Sequence, residues 1–251
     1  LRVDIFSMKS EGPEPFEAFA LDRSRPSLIA GQVHEFDVVV RNLGVGHTFP
    51  GGTNDSNEGW LEISVVDRDD QVVAVSGLIQ EDGHVDPSAH FYKALMIDKN
   101  GEPIHRRNAQ DIVTSVYTRV IGPGTADVAP FSFLVPESYS GQSLIVRARL
   151  LWRKFDRHYT EFSYNKAPHG FRRFDEVPDL PVTEIANSEI ELAVGSENIS
   201  PTPLLYEDWV RFNDFGIGLL IQGDTQGAAK AFEIVKNLAP DRQDGFRNLA
   251  R

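Results

Sequence analysis

Apolar and polar residues alternate along several segments between residues 30 and 194. In each segment every second residue is apolar, whereas most residues between them are polar or charged. The apolar positions of the three clearest segments are Phe36, Val38 and Val40, then Leu61, Ile63 and Val65, and finally Leu144, Val146, Ala148, Leu150 and Trp152. A period of two is typical of β-strands that bury one face and expose the other. The pattern therefore predicts a region built from sheets.

Turn-forming sequences separate these strand-like segments. They are DRDDQ at 67–71, DKNGEP at 98–103, GPGTAD at 122–127 and PESYSG at 136–141. LRVDIFSM predicts an edge strand, FEAFAL predicts a further strand, and SEIELAV predicts the last strand. Many short strands at this spacing, with no helical pattern between them, favour an antiparallel β-sandwich of the immunoglobulin-like type. We assign residues 1–196 to this domain.

The hydrophobic period changes to about 3.6 residues from Leu204 onward, which predicts α-helices. The segment PLLYEDWVRFNDFGIGLLIQG is interpreted as one amphipathic helix that ends at Gly223, and QGAAKAFEIVKNLAP as a second helix. Asp224 or Thr225 is the expected N-cap of the second helix, because its side-chain oxygen can accept from free backbone N–H groups. GSENISPTP is typical of a linker. We assign residues 197–251 to the helical part.

The spacing of these helices resembles a tetratricopeptide repeat, a helical hairpin of about 34 residues. With Pro240 at the proline of the repeat, one full repeat covers residues 209–242 and a second, incomplete one begins at Gln243. The matching small, aromatic and leucine positions are Gly216, Ala228 and Phe232, then Phe246, Leu249 and Ala250. A single repeat cannot bury its own apolar face, so we expect the natural protein to continue beyond Arg251. A lone helical hairpin that caps the sandwich is the alternative.

The composition narrows the classes of function. The 251 residues carry a net charge of −12, which disfavours binding to nucleic acid. No apolar run reaches the roughly 18–20 residues that a membrane helix needs. The absence of cysteine excludes disulfides, thiolate metal sites, cysteine nucleophiles and covalent haem c attachment within this chain. The sequence contains no nucleophile elbow, phosphate-binding loop or HExxH pattern, so it predicts no catalytic residue.

Five stretches together resemble extracytoplasmic multihaem c-type cytochromes that carry a β-sandwich module followed by tetratricopeptide repeats. They are VVVRNLGVGHTFPGGTNDSNEGWLEISV, GHVDPSAHFYKALMIDKNGEPIHRRNAQDI, YTRVIGPGTADVAPFSFLVP, LLWRKFDRHYTEF and RFNDFGIGLLIQGDTQGAAKAFEIVKNLAP. The most specific element is N-x-x-x-G-H-x-F-P. The resemblance covers most of residues 30–251 and implies that haem c is bound by a segment outside this chain. It also implies a periplasmic or extracellular location.

His47 lies within this most specific element, in a long loop between two predicted strands. One interpretation is an axial ligand of a haem held by the upstream segment, since imidazole is a common haem ligand. A second is a divalent metal site with Asp55 or Glu58. In the third, His47 forms a hydrogen bond to the loop backbone and organises the long connection. The sequence leaves these three interpretations open.

A second group of metal-ligand residues lies in EDGHVDPSAHF, where His84, Asp86 and His90 are close in sequence. Imidazole with carboxylate suits zinc or copper, whereas carboxylate and carbonyl oxygens suit calcium. The spacing matches no defined metal-binding pattern, and Asp-Pro is also typical of a turn. DRDD and DKNG lack the full pattern of a calcium-binding loop, so we interpret them as hairpin turns.

Basic and aromatic side chains provide candidate surfaces for partners. In WRKFDRHYTEF and HGFRRF, basic residues could face haem propionates or an acidic partner, or form the solvated face of a strand pair. The candidates are Arg153, Arg157, Arg172 and Arg173. In the helical part, we predict that Phe212 and Phe215 contribute to a partner-binding face.

Three hypotheses of function follow. In the leading one, the chain is a non-catalytic structural and interaction module of a multihaem cytochrome, which packs against the haem-bearing segment and binds an unidentified protein through the repeats. The second is a sandwich that binds a metal such as calcium, or a carbohydrate, with Trp60, Trp152 and Tyr92 as candidate stacking residues. The third, an enzyme, requires histidines and carboxylates clustered in a cleft.

Overall fold

The computed structural model describes residues 1–10, 15–165, 176–195 and 203–251. Strands dominate up to Gly195, and helices form the C-terminal part. The strands are β1 (Arg2–Ser10), β2 (Phe16–Phe19), β3 (Leu28–Ile29), β4 (Val33–Arg41), β5 (Glu58–Val66), β6 (Val72–Ser76), β7 (His90–Tyr92), β8 (Ala94–Ile97), β9 (Thr114–Thr118), β10 (Ala126–Leu134), β11 (Ser143–Arg153) and β12 (Thr183–Gly195). The α-helices are α1 (Leu21–Ser24), α2 (Arg157–Asn165), α3 (Trp209–Gln222), α4 (Thr225–Leu238) and α5 (Asp244–Leu249). Within these ranges, no helix has the length and apolar character required to cross a membrane.

The first sheet has four strands in the order β10-β4-β1-β2, and all neighbouring pairs are antiparallel. The predicted strand in FEAFAL is confirmed as β2, which forms one edge. The prediction that the N-terminal strand is an edge strand was wrong, because β1 lies between β4 and β2. Both faces of β1 are buried, with Ile5 in one apolar cluster and Phe6 in another. An interior position explains why β1 carries apolar residues on both faces.

The second sheet has the order β3-β12-β11-β5-β6, and β7 also pairs with β5. Its pairs are antiparallel except for β3 beside β12, where Leu28 lies opposite Val194 in a parallel register. The predicted last strand is confirmed as β12, although it begins earlier, at Thr183. The strands β8 and β9 pair with each other and form a separate two-stranded sheet.

The two larger sheets share one apolar core. The predicted inward-facing residues of β4, β5 and β11 lie in it, and these are Phe36, Val38, Val40, Leu61, Ile63, Val65, Leu144, Val146, Ala148 and Leu150. Trp152 is partly buried and packs against this core. The prediction of a mainly β chain with a C-terminal helical part is therefore confirmed, whereas the immunoglobulin-like topology stays a prediction.

The outer face of the first sheet is covered by α3 and α4. The Phe212 ring lies 5.0 Å from the Phe6 ring and 5.1 Å from the Phe19 ring, measured between centroids. Phe212 is fully buried, and Phe215 is also buried beside Phe6. The two side chains that we predicted to face a partner thus lie inside the chain. The apolar stripe of α3 covers the sheet instead, which an amphipathic pattern alone does not reveal.

Ion pairs surround this contact between the helices and the sheet. Asp214 of α3 is buried and lies 2.6 Å from Arg2 and 2.8 Å from Arg41. Burial raises the pKa of the Asp214 carboxyl, and the two guanidinium groups oppose that rise. Arg211 pairs with Asp4 of β1 at 2.8 Å. These contacts fix the helices on the sheet, and the division of the chain at residue 196 into two domains stays a prediction.

The helices α3 and α4 form the predicted hairpin. Gly223 ends α3 with a φ of 90°, a left-handed conformation that favours glycine. The N-cap prediction for Asp224 is confirmed, because its carboxylate accepts a hydrogen bond from the Gly227 N–H at 2.8 Å. A Cβ on Gly216 would lie 2.6 Å from the Phe232 ring, so glycine permits the close approach of the two helices there. The tetratricopeptide assignment stays a prediction.

One helix interrupts the β part, contrary to our prediction of strands alone between residues 30 and 194. It is α2, which follows β11 after a short turn. Asp156 caps its N-terminus by accepting a hydrogen bond from the Tyr159 N–H at 2.8 Å. We interpret the segment WRKFDRHYTEF as part of a strand pair, although its aromatic residues Trp152, Phe155, Tyr159 and Phe162 are spaced by three or four positions, as on a helix. The cap at Asp156 marks where the helix begins after β11.

Candidate functional site

The loop between β4 and β5 is attached at its start by Asn42, which is fully buried. The Asn42 amide donates to the carbonyl oxygens of His47 at 3.0 Å and Ile121 at 3.1 Å, and its oxygen accepts from the Val45 N–H at 3.1 Å. Phe49 extends this attachment, because its backbone N–H and carbonyl both bond to Ile121. The backbone on either side of His47 is therefore fixed without regular secondary structure.

The His47 side chain projects from this loop into solvent. Its Nδ1 lies 2.7 Å from the Thr48 carbonyl oxygen, so Nδ1–H donates there and the neutral ring carries its lone pair on Nε2. A Cβ at Gly51 would lie 2.8 Å from Nδ1, so glycine makes room for the ring. The hydrogen bond to the loop backbone that we predicted is present. It also leaves Nε2 free to bind a metal, since backbone carbonyls commonly orient such ligands.

Glu58 does not form a metal site with His47. It is buried between two cations, with Oε2 accepting from Arg153 at 2.6 Å and Oε1 accepting from Lys93 at 2.8 Å. Burial acts to raise the pKa of Glu58, but Lys93 and Arg153 outweigh it and hold that pKa below its ordinary value. No group of three clustered His, Asp or Glu ligands among the described residues includes His47 or Asp55.

We expect Asn42→Ala to lower the free energy of unfolding by about 1–3 kcal/mol, because it leaves buried backbone groups without partners. Urea denaturation measures this change. Asn100→Ala is the matched control, since Asn100 is exposed and its side chain bonds only to Asp98 within its own turn. Equal stabilities of the two variants would contradict the role of Asn42.

The structure does not bring the predicted ligands His84, Asp86 and His90 together. Asp86 accepts from the Ser88 N–H at 2.9 Å, which agrees with the alternative interpretation of a turn. His90 turns toward the first sheet, where its Nε2 lies 2.6 Å from Asp127. A turn between Asp86 and His90, closed by the Ala89 N–H donating to the Asp86 carbonyl at 3.0 Å, redirects the chain, so closeness in sequence does not bring these side chains together.

A different set of ligands does converge, where α2 meets the turn that precedes β7. His84, His158 and Glu161 place one ligand atom each within 4.8 Å of one another, and no other such group occurs in the part of the chain that the structure describes. His84 Nε2 lies 3.8 Å from Glu161 Oε1. The ring centroid of His158 lies 4.5 Å from that of His84 and 4.3 Å from that of His105. We call His84, His105 and His158 the imidazole cluster.

The surroundings disfavour the charged form of two rings of this cluster, His105 and His158. Partial burial, together with the neighbouring His158 ring, lowers the pKa of His105. Partial burial and the His84 ring lower the pKa of His158 in the same way. A cavity of about 590 Å³ opens beside the cluster, lined by His84, His158, Lys93 and Phe91 among others. The site thus offers unprotonated nitrogen atoms next to a space that can hold a ligand.

The spacing of His158 and Glu161 in the sequence indicates that they lie together, but only if the segment is recognised as a helix. His158 and Glu161 are three residues apart, and residues at that spacing share one face of a helix. On a strand the same two residues point to opposite faces. The cue that could have identified α2 was Asp156. An aspartate can cap a helix by accepting from the backbone N–H three residues later, which here is that of Tyr159.

Arg153 does not lie on a solvated face as the simpler interpretation held. It is buried at the end of β11, where it binds Glu58 and also donates to the Gly83 carbonyl at 2.8 Å. Its guanidinium lies 5.7 Å from the centre of the Trp60 ring. These contacts occupy its donors, so Arg153 is a structural group of the β part.

Arg157 is also engaged within the chain. It lies at the start of α2, where Nε donates to Glu161 at 3.0 Å and NH1 donates to Asp179 at 3.2 Å. Its pairing with Glu161 makes it a neighbour of the imidazole cluster. Arg172 and Arg173 lie outside the described residues, so their proposed contact with haem propionates or an acidic partner stays a prediction.

The candidate stacking residues and the two aspartate-rich turns have roles inside the fold. Trp60 and Tyr92 are fully buried and offer no ring face for a sugar, and Trp152 is partly buried. The carboxylates of Asp67 and Asp98 accept backbone N–H groups of their own turns. These bonds confirm the interpretation of DRDD and DKNG as hairpin turns.

No protein-family model matches the chain, and no curated protein matches it. Among solved structures, a penta-haem cytochrome c552 from Thermochromatium tepidum is similar over 64% of this chain and 36% of that chain, with 18% identity and a TM-score of 0.45. Spo0M, a sporulation control protein from Bacillus subtilis, is similar over 87% of this chain and 55% of that chain, with 11% identity and a TM-score of 0.28. The chain spans less than two thirds of either protein, and similarity at this level assigns neither fold nor function.

Proposed function

We propose that this chain is a non-catalytic structural and protein-interaction module of a multihaem c-type cytochrome, and that it supports electron transfer by a haem segment outside the chain. The observation that carries the proposal is the presentation of His47 by the element N-x-x-x-G-H-x-F-P. An exposed imidazole whose Nδ1–H is fixed by a hydrogen bond keeps its lone pair on Nε2 and is suited to bind a haem iron. The haem, when bound by its own segment, supplies the electron transfer.

Several residues of this element support the presentation of His47. Asn42 holds the His47 carbonyl, Phe49 bonds to the neighbouring strand region, and Gly51 leaves space for the ring. The role of this chain is limited to an axial ligand and a docking surface, because it contains no cysteine to attach haem covalently.

The helical part supplies the second half of the proposal. We infer that α3, α4 and α5 begin a tetratricopeptide array whose concave face binds an unidentified protein. The inner face of α3 is occupied by the sheet, so the partner must contact other surfaces of the repeats. From the resemblance to extracytoplasmic cytochromes, we infer that the protein is located in the periplasm or outside the cell.

We expect His47→Ala, introduced into the full-length protein with its haem segment, to change one haem from six-coordinate low-spin to five-coordinate high-spin iron. The absorption and electron paramagnetic resonance spectra measure this change. His158→Ala is the matched control, because His158 is also exposed but lies in the imidazole cluster. Unchanged spectra in His47→Ala, or a parent gene without CxxCH sequences, would refute the proposal.

A further inference from the structure

We propose that His84, His158 and Glu161 form a binding site for a divalent transition metal ion, with zinc or copper as the chemical class. This site is independent of the haem proposal, since all three ligands belong to the described chain. It replaces the predicted trio of His84, Asp86 and His90, of which only His84 takes part.

Two separate segments fix the ligands in position. His158 and Glu161 lie one helical turn apart on α2, and the Asp156 cap holds the start of that helix. His84 lies in a turn whose backbone is fixed, because its N–H donates to Asp82 at 2.9 Å and its carbonyl accepts from the Gln80 N–H at 2.7 Å. The ligands therefore converge through the packing of the turn on the helix.

The distances between the three ligand atoms are close to those of a metal site. Neighbouring ligand atoms of a tetrahedral zinc site are about 3.3 Å apart, given metal–ligand bonds near 2.0–2.1 Å. The three ligand atoms already lie within 4.8 Å of one another, and His84 Nε2 and Glu161 Oε1 lie 3.8 Å apart. Binding of an ion requires rotation of these side chains, which are exposed or half-buried, to close the remaining gap. Calcium is excluded as the preferred ion, because it favours six to eight oxygen ligands.

The groups around the ligands fit the same role. Arg157 donates to Glu161 Oε1 at 3.0 Å and thereby restricts the orientation of the carboxylate, so an ion at this site shares Oε1 with the guanidinium or binds the second carboxylate oxygen. The His105 ring packs beside the His158 ring and restricts its orientation. The cavity of about 590 Å³ borders His84 and His158, so the remaining coordination positions can take water or a small ligand. Two imidazoles and one carboxylate with an open position are typical of a reactive rather than a closed structural site.

The test is a titration of the tag-free, chelator-treated chain with Zn²⁺ by calorimetry and with Co²⁺ by visible absorption. We expect one equivalent of Zn²⁺ to bind and Co²⁺ to give the intense bands of a low-symmetry, nitrogen-ligated ion. Loss of an outer partner typically costs about 10–100-fold in affinity, so His158→Ala should cost about 100-fold or more. Glu161→Gln should weaken binding by about tenfold or more for the same reason. Ca²⁺ should give no saturable heat.

Glu102→Gln is the matched control for Glu161→Gln, since Glu102 is an exposed glutamate outside the site. It should bind Zn²⁺ as the unchanged chain does. Circular dichroism and the Tm without metal check that His158→Ala still folds, and Glu161→Gln provides a second variant if it does not. Unchanged Zn²⁺ affinity in both His158→Ala and Glu161→Gln, or loss of binding in Glu102→Gln, would overturn the proposal. Because His47 and His158 are altered separately, failure of the metal site leaves the haem proposal intact.

Discussion

Phe212→Ala should lower the free energy of unfolding by about 3–5 kcal/mol, which is the range for removing a large aromatic side chain from a core. Phe212 is fully buried between Phe6 and Phe19, and its ring meets the Phe6 ring edge-on with an interplanar angle of 82°. The substitution would leave a cavity between α3 and the first sheet. Urea denaturation followed by circular dichroism measures the loss.

Phe246→Ala is the control for this substitution. Phe246 also lies on a helix, in α5, but 51% of its surface is exposed, so we expect a change of at most about 0.5 kcal/mol. If Phe212→Ala were as mild as Phe246→Ala, the helices would not be packed on the sheet as described. A large effect also predicts that the β part and the helices unfold together, in one transition.

Glu58→Gln should lower the free energy of unfolding by about 3–5 kcal/mol, because it leaves two buried or half-buried cations without their carboxylate. Arg153 and Lys93 both donate to Glu58, and the Glu58 side chain is only 5% exposed. Chemical denaturation at neutral pH measures the change. Arg147→Ala is a suitable control, because Arg147 forms exposed ion pairs whose loss should cost less than about 1 kcal/mol.

The ion pairs of Glu58 with Arg153 and Lys93 also make the free energy of unfolding depend on pH. The folded-state pKa of Glu58 lies below its ordinary value of about 4.5, so its stabilising contribution is fully present above that pH. The contribution is lost as the pH falls through the depressed folded-state pKa. Burial raises the pKa of the neighbouring Asp156, which has the opposite effect on stability. The difference in stability between the unchanged chain and Glu58→Gln isolates the Glu58 term, and it should shrink below about pH 4.5. A constant difference down to strongly acidic pH would contradict this account.

The strands and their buried faces could be predicted because the signal is local. Phe36, Val38 and Val40 lie on one face of β4 by alternation alone, and the structure places all three in the core between the sheets. The caps of the C-terminal helices are local too. Gly223 and Asp224 act at a helix end through their own backbone and side chain.

The partners of these elements could not be predicted, because they depend on contacts between distant residues. The pattern of α3 shows an apolar stripe, but nothing local shows that Phe212 covers Phe6, which is more than 200 residues away in sequence. The same limit applies to His84. Its true neighbours, His158 and Glu161, are on α2, which lies more than 70 residues away in sequence. The interior position of β1 likewise depends on β4 and β2 together.

The long separation between β1 and α3 has a consequence for synthesis of the protein on the ribosome. The first sheet can pair fully once β10 has emerged, but its outer face, with Phe6, Val39 and Val128, waits for α3. Residues 135–208 must be translated before that cover exists. During this interval the nascent chain carries an apolar surface of the kind that holding chaperones bind and that drives aggregation when they are scarce. Any product that terminates before Trp209 keeps that surface uncovered permanently.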